Sequence, residues 1–359
     1  MRIDERLGDG DSFHDDAPRR RGGDALILAG GVAKGAFAAG AVLALARRTP
    51  LRVRRIVATS AGALSAVFLA SAVRDGRDLG VAAAELAALW RTKATAAGAF
   101  DVSPGALATR TGFSTNRKLL SLMRKYVRPA RGRRPIELRL VMTNAAGDVG
   151  RVGEVEATTF EHVARFSGSA FDTEQGLEAV FRAACASSAF PVAFQPVDMP
   201  VREGKSVPCF DGGLVDNAPV RLAVDDPYVS RVFVVVPYPL VYEAPARLQG
   251  GPLLIHLAEI LIQERLYRDL REAHATNEAL ERLEALVPSR RARAAILGAL
   301  GWRGRRRVEI VEIRPDASLP GGAFDGLFRP ALREAYIDAG EQAAETWFDQ
   351  RWAILRSAV

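Results

Sequence analysis

Ile56-Val57-Ala58-Thr59-Ser60-Ala61-Gly62-Ala63 is the stretch that decides how this chain is read. Residues suited to a buried strand run into one serine, and small residues suited to a helix follow it. A serine at a tight strand-to-helix turn projects its hydroxyl at the head of the helix, beside free helix amides. Positions two residues to either side must be small, because strand and helix pack closely there. Gly62 meets that demand and Ala58 exceeds it by one methyl. A helix-capping serine occupies the same kind of junction, so the motif alone leaves both roles open.

Working upstream, Ala25 to Ala29 reads as a buried strand and Lys34 to Arg48 as a helix with an Ala-rich face. With Ile56 to Thr59 they make a βαβ unit of parallel strands. The first turn reads Ala29-Gly30-Gly31-Val32-Ala33-Lys34-Gly35. Its glycines let backbone amides approach a ligand, and the following helix adds the positive end of its dipole, so this is an anion site. In a phosphate-binding P-loop the lysine is followed by Ser or Thr; here Lys34 is followed by Gly35. A dinucleotide fold needs an acid about 20 residues on, and no Asp or Glu occurs from Ala25 to Arg74. An oxyanion hole for acyl transfer is the third reading.

Downstream, Leu79 to Trp90 and Asn116 to Tyr126 read as helices, and Ile136 to Thr143 as a strand. Asn144 to Asp148 suits a turn, with Val149 to Glu156 as a hairpin partner. Arg182 to Ala186 ends a helix, and Arg231 to Pro237 has a central-strand pattern. A long amphipathic helical region spans 252–285, Val308 to Ile313 is a late strand, and Arg329 to Trp347 closes as a helix. This alternation predicts a three-layer α/β/α domain over 24–359, with a mostly parallel central sheet. Its C-terminal part, 240–359, is expected to form an outer helical layer of the same domain. Residues 1–23 hold little apolar material and read as a loose tail without a secretory signal.

One more motif carries chemistry. Cys209-Phe210-Asp211-Gly212-Gly213-Leu214-Val215-Asp216-Asn217 places an acid at the end of an apolar strand before a Gly-Gly turn. An ordinary Asx turn looks the same. A serine and an aspartate at strand ends, on a Gly-rich anion loop, nevertheless form a reactive constellation.

Taken together, the Gly-rich loop, the Ser60 elbow and the Asp211-Gly212-Gly213 turn resemble the patatin-like phospholipase family. So does Ala186-Ser187-Ser188-Ala189-Phe190-Pro191, which continues to Phe194-Gln195-Pro196-Val197. The blocks span residues 25 to about 220, with a weaker likeness from Glu264 to Asn277. The resemblance implies a patatin-like fold and a lipid acyl hydrolase acting through an acyl-enzyme. It implies Ser60 as nucleophile and Asp211 as its base, with Gly30, Gly31, Val32, Lys34 and Gly35 around an oxyanion hole. Ala58, Gly62, Gly212 and Gly213 would support the two turns. Two departures stand out: Gly-Gly-Val replaces Gly-Gly-Gly in the loop, and Ala58 begins the elbow. Positive φ is awkward for valine, so the loop is expected to differ in shape. A protein that binds lipid with little turnover is therefore the alternative.

Net charge is +7. Basic patches at Arg52, Arg54 and Arg55, at Arg128 to Arg134 and at Arg303 to Arg307 favour anionic surfaces such as phospholipid headgroups, although an Arg-rich surface also simply aids solubility. No zinc-finger spacing or aromatic RNP pattern accompanies the charge, so no nucleic acid is expected. Lys34 is a further candidate for a headgroup phosphate. No calcium-loop pattern occurs, and neither metal nor cofactor is expected. Cys185 and Cys209 read as buried free thiols. Of four histidines, His14 lies in the tail, while His162, His256 and His274 fall in stretches read as helical. Ser60 follows the first strand too closely for an α/β-hydrolase triad, which favours Asp211 acting directly. The apolar runs at 25–46 and 56–73 read as strand-helix pairs, not membrane spans. A cytoplasmic or peripheral membrane location is expected.

Overall fold

The computed structural model describes residues 22–102, 112–152, 155–200, 205–241, 251–302 and 304–357. The expected tail lies outside the described residues, apart from Gly22 and Gly23, and Gly23 already belongs to the first strand.

In chain order the main elements are β1 (Gly23–Leu28), α1 (Ala36–Arg48), β2 (Val53–Thr59), α2 (Ala61–Asp75) and α3 (Leu79–Lys93). Then come β3 (Asp101–Val102), β4 (Gly112–Thr115), α4 (Arg117–Tyr126), β5 (Glu137–Val152), β6 (Val155–Ser167) and α5 (Glu174–Ser187). The rest are β7 (Val192–Phe194), β8 (Val197–Pro200), β9 (Ser206–Asp211), β10 (Val229–Val235), α6 (Gly251–Leu286), β11 (Glu309–Ile313) and α7 (Pro330–Ser357).

The main sheet runs β11-β10-β1-β2-β5-β9-β8, with β6 also on β5. From β11 to β5 all neighbours are parallel. β6, β9 and β8 join antiparallel. Alternation along β1 shows why there are three layers. Leu26 and Leu28 point into a large core with α1, α2, α3, α5 and α7. Ala25 and Ile27 point the other way, into a second core with Leu266 and Leu270 of α6. The mostly parallel α/β sandwich expected from the sequence is the fold found.

Two glycines set the outer layer. A Cβ on Gly40 of α1 would lie 1.9 Å from the Ile337 carbonyl oxygen of α7, and one on Gly340 would lie 2.1 Å from that of Phe37. The two helices cross with their backbones in contact.

Three local readings are corrected. Asn144 to Asp148 is no turn: β5 runs through it, with a register shift between Thr143 and Asp148 and Gly147 at φ 72°. That is a bulge, which bends a strand without ending it. The partner strand β6 therefore extends to Ser167, and His162 sits on a strand, not a helix. Arg55 is no surface cation either. It is 5% exposed and bonds Glu137 and Asp225, which also hold the buried Arg139.

Candidate active site

β2 ends at Thr59, and Ser60 occupies φ 55°, ψ −132°, before α2 begins at Ala61. Such a backbone costs a non-glycine residue about 1–3 kcal/mol and persists only where neighbours enforce it. They do so here. The Ser60 amide donates to Ser187 Oγ at 3.0 Å, and Ser187 Oγ donates to the Val141 carbonyl at 2.5 Å. The Ser60 carbonyl accepts from the Ala63 amide at 2.8 Å. A Cβ on Gly62 would lie 2.1 Å from the Leu28 carbonyl oxygen, so only glycine lets α2 start this close to β1. Ala58, fully buried, directs its methyl into the large core, where there is room for it.

The topology of β5 brings the acid to the serine. Its residues Glu137 to Val141 pair with β2 on one edge, while β6 takes the other. Beyond the end of β2, Met142 to Asn144 pair with β9, whose last residue is Asp211. β9 thus approaches β2 end to end. Ser60 Oγ donates to Asp211 Oδ2 at 2.6 Å, and the Gly213 amide donates to Oδ1 at 2.8 Å. A Cβ on Gly212 would lie 2.1 Å from the Val141 carbonyl oxygen. Asp211 is 3% exposed. Burial pushes its carboxyl up to about 6, against the opposing pull of the Ser60 and Gly213 hydrogen bonds.

The Gly-rich loop lies against this pair. A Cβ on Gly30 would sit 2.5 Å from Ser60 Cβ and 2.6 Å from Asn217 Oδ1. The Gly30 amide donates to Asn217 Oδ1 at 2.9 Å, that of Ala33 to the Ala323 carbonyl, and that of Lys34 to the Gly31 carbonyl. Among the described residues no hydrogen bond engages the Gly31 and Val32 amides. Those two amides are left without a protein partner there, while those of Gly30 and Lys34 hold the loop. Gly35 meets Ala61 and Trp90, where a Cβ would lie 2.8 Å from Ala61 Cβ. Val32 does take positive φ, 49°. That backbone strains a β-branched residue. The Lys34 side chain is buried at 8% exposure, so it is not presented to a headgroup at the surface.

From Ser60 and Asp211 opens an apolar cleft. Three helical stripes of identical spacing line it: Ala61, Leu64, Ser65 and Phe68 of α2; Leu86, Leu89, Trp90 and Lys93 of α3; and Leu119, Leu122, Met123 and Tyr126 of α4. Trp90 Nε1 donates to Ser65 Oγ at 3.0 Å and fixes α3 against α2. The antiparallel hairpin sets Lys93 toward the Ser60 end and Leu86 toward the Phe68 end.

Among the described residues no histidine shares the Ser60–Asp211 hydrogen bond. His162 is half-buried on β6, with desolvation lowering its pKa, and His274 bonds Glu312 at 3.2 Å. Behind the site Asp216 is fully buried, and Asp269 and Glu161 add to burial in holding its carboxyl well above the usual range. Its carbonyl accepts from Thr59 Oγ1. Cys185 and Cys209 are free and buried, and burial pushes both thiols up to about 12. Sequence reasoning missed the supporting roles of Ser187 and Asn217. Both lie inside quoted motifs, but their partners are 127 and 187 residues away. Among the described residues no group of acids, histidines and cysteines could hold a metal, and no helix is long and apolar enough to cross a membrane.

Residues 26–224 match the family described as Patatin-like phospholipase. No curated protein matches the chain. Among solved structures, VipD from Legionella pneumophila aligns with a TM-score of 0.37 and 13% identity, covering 92% of this chain and 67% of VipD. The family match takes in more than half of the sequence, including the Gly-rich loop, the Ser60 elbow and the Asp211-Gly212-Gly213 turn, and this chain belongs to the patatin-like phospholipase family of lipid acyl hydrolases.

Proposed function

We propose that the protein hydrolyses fatty-acyl esters of phospholipids or lysophospholipids through a Ser60–Asp211 dyad. The observation that carries this is the 2.6 Å bond from Ser60 Oγ to a buried carboxylate at the head of an apolar cleft. Asp211 takes the Ser60 proton as Oγ attacks the ester carbonyl. The Gly31 and Val32 amides receive the oxyanion. Asp211 returns the proton to the departing alcohol, then takes one from water as that water attacks the acyl-enzyme. The fatty acid leaves and Ser60 is restored. Ordinary aspartate is a weak base; a carboxyl raised to about 6 is better matched to neutral pH.

Hydrolysis of a phospholipid and lysophospholipid panel, followed by mass spectrometry, tests the reading. Ser60→Ala and Asp211→Asn should each lower turnover by about 10³-fold or more while the fold persists. The second reading, a lipid binder with little turnover, is favoured by the strained Val32. It predicts that the unaltered protein retains lipid but releases no fatty acid.

A further inference from the structure

The positive charge of this protein is concentrated in one segment. Of its 49 Lys and Arg residues, nine fall between Val102 and Ile136, a stretch with none of the 42 Asp and Glu residues. The remainder, with 40 cations to 42 acids, is close to neutral. Arg110 lies outside the described residues; the others are on α4 and the chain that follows it. α4 is a wall of the cleft: Leu119, Met123 and Tyr126 face inward. Its other face and the following turn expose Arg117, Arg124, Lys125, Arg128, Arg131, Arg133 and Arg134. Arg117 and Arg124 are balanced by Asp101 and Glu178, which come from outside the stretch. Phe113, just ahead of α4 on β4, is 54% exposed. β4 pairs with β7, whose Phe194 lines the same cleft.

We infer that α4 and the turn from Val127 to Arg134 form the docking face for an anionic lipid bilayer, seating the cleft beside the membrane. The inference rests on the lipid-ester reading of that cleft. Charge complementarity selects the partner. A cationic surface is drawn to acidic headgroups within a Debye length. An exposed aromatic beside the cations suits the boundary between headgroups and acyl chains. A helix with one face in the cleft and the other toward the headgroups would bring the acyl chain's entrance to the interface.

Co-sedimentation of Ser60→Ala protein with vesicles provides the test, using phosphatidylcholine alone or mixed with phosphatidylglycerol. The mixed vesicles should bind it and the neutral ones should not, and added salt should release it. The triple variant Lys125→Gln, Arg128→Gln, Arg133→Gln should bind on the order of a hundredfold more weakly, from roughly fivefold per cation. The corresponding Glu variant should bind more weakly still. In the chain with Ser60 intact, the triple change should leave hydrolysis of a soluble short-chain ester unaltered. Equal binding to both vesicle types, undiminished binding by the triple variant, or stronger binding to RNA than to either vesicle would each overturn the proposal. Absence of ester turnover alongside charge-selective vesicle binding would sink the enzymatic reading and leave the docking face standing.

Discussion

Asp211 is subject to two opposite pH dependences. In the proposed role of base it must be ionised, so hydrolysis should fall as pH drops through about 6. Its folded pKa is raised above the unfolded value of 3.8, so the native state binds the proton more tightly. That contribution to stability is complete below the unfolded value and lost as pH rises through about 6. Asp211→Asn should therefore gain on the order of 1–3 kcal/mol at pH 8 while losing activity, read from melting curves at pH 4 and pH 8. No gain at pH 8 would refute the buried-charge account. In the neighbouring loop, Gly30→Ala should lose activity, because its methyl would meet Ser60 Cβ and Asn217 at about 2.5 Å. Val32→Gly should leave stability within about 1 kcal/mol, since relief of strain is offset by greater freedom of the unfolded chain. Its turnover should not fall, because the oxyanion contact proposed for this position is made by the amide, not the side chain. The turns that carry Ser60 and Asp211 were legible in the sequence because tight turns restrict which residues may flank them. Ser187 and Asn217 were not, since a side chain's acceptor role depends on where distant strands end. Arg55 was misread because charge composition does not report burial.

At the level of elements, the α2 stripe from Ala61 to Phe68 covers eight residues, about 10 Å of helix from first to last. An extended hydrocarbon advances about 1.3 Å per carbon, so the stripe accommodates an acyl chain of roughly eight carbons before Phe68. Phe68→Ala should shift the preferred ester toward longer chains by several carbons, measured as kcat/KM across a homologous series. An unchanged profile would show that Phe68 does not terminate the cleft. Periodicity found most of these elements, because β1, β2 and the helices after them carry long, one-sided apolar patterns. It failed at β5 and β6. Asn144 to Asp148 has the composition of a turn, yet a bulge accepts the same residues while β6 pairing continues on both sides of it. Only the partner strand distinguishes the two.

For the whole molecule, the family match ends at residue 224 but the sheet does not. β10 pairs with the outer edge of β1, and β11 with β10. α7 covers α1 at the Gly40–Gly340 crossing. Residues 24–359 should then unfold as one unit, and a chain ending at 224 should be insoluble on expression, with β1 and α1 uncovered. A soluble, folded 1–224 fragment would show that the outer layer is dispensable. The three-layer class was legible because strand and helix alternate along the chain. The strand order was not, because nothing local in β1 says that its neighbour is β10. That order has a consequence for synthesis on the ribosome. β1 leaves the exit tunnel about two hundred residues ahead of the strand that covers its edge. At about 5–20 residues per second it waits roughly 10–40 s, holding an apolar, unpaired edge next to the Gly-rich loop. Until then the nascent chain should be a client for chaperones that shield exposed strands, and slow translation between β9 and β10 should lower the yield of native protein.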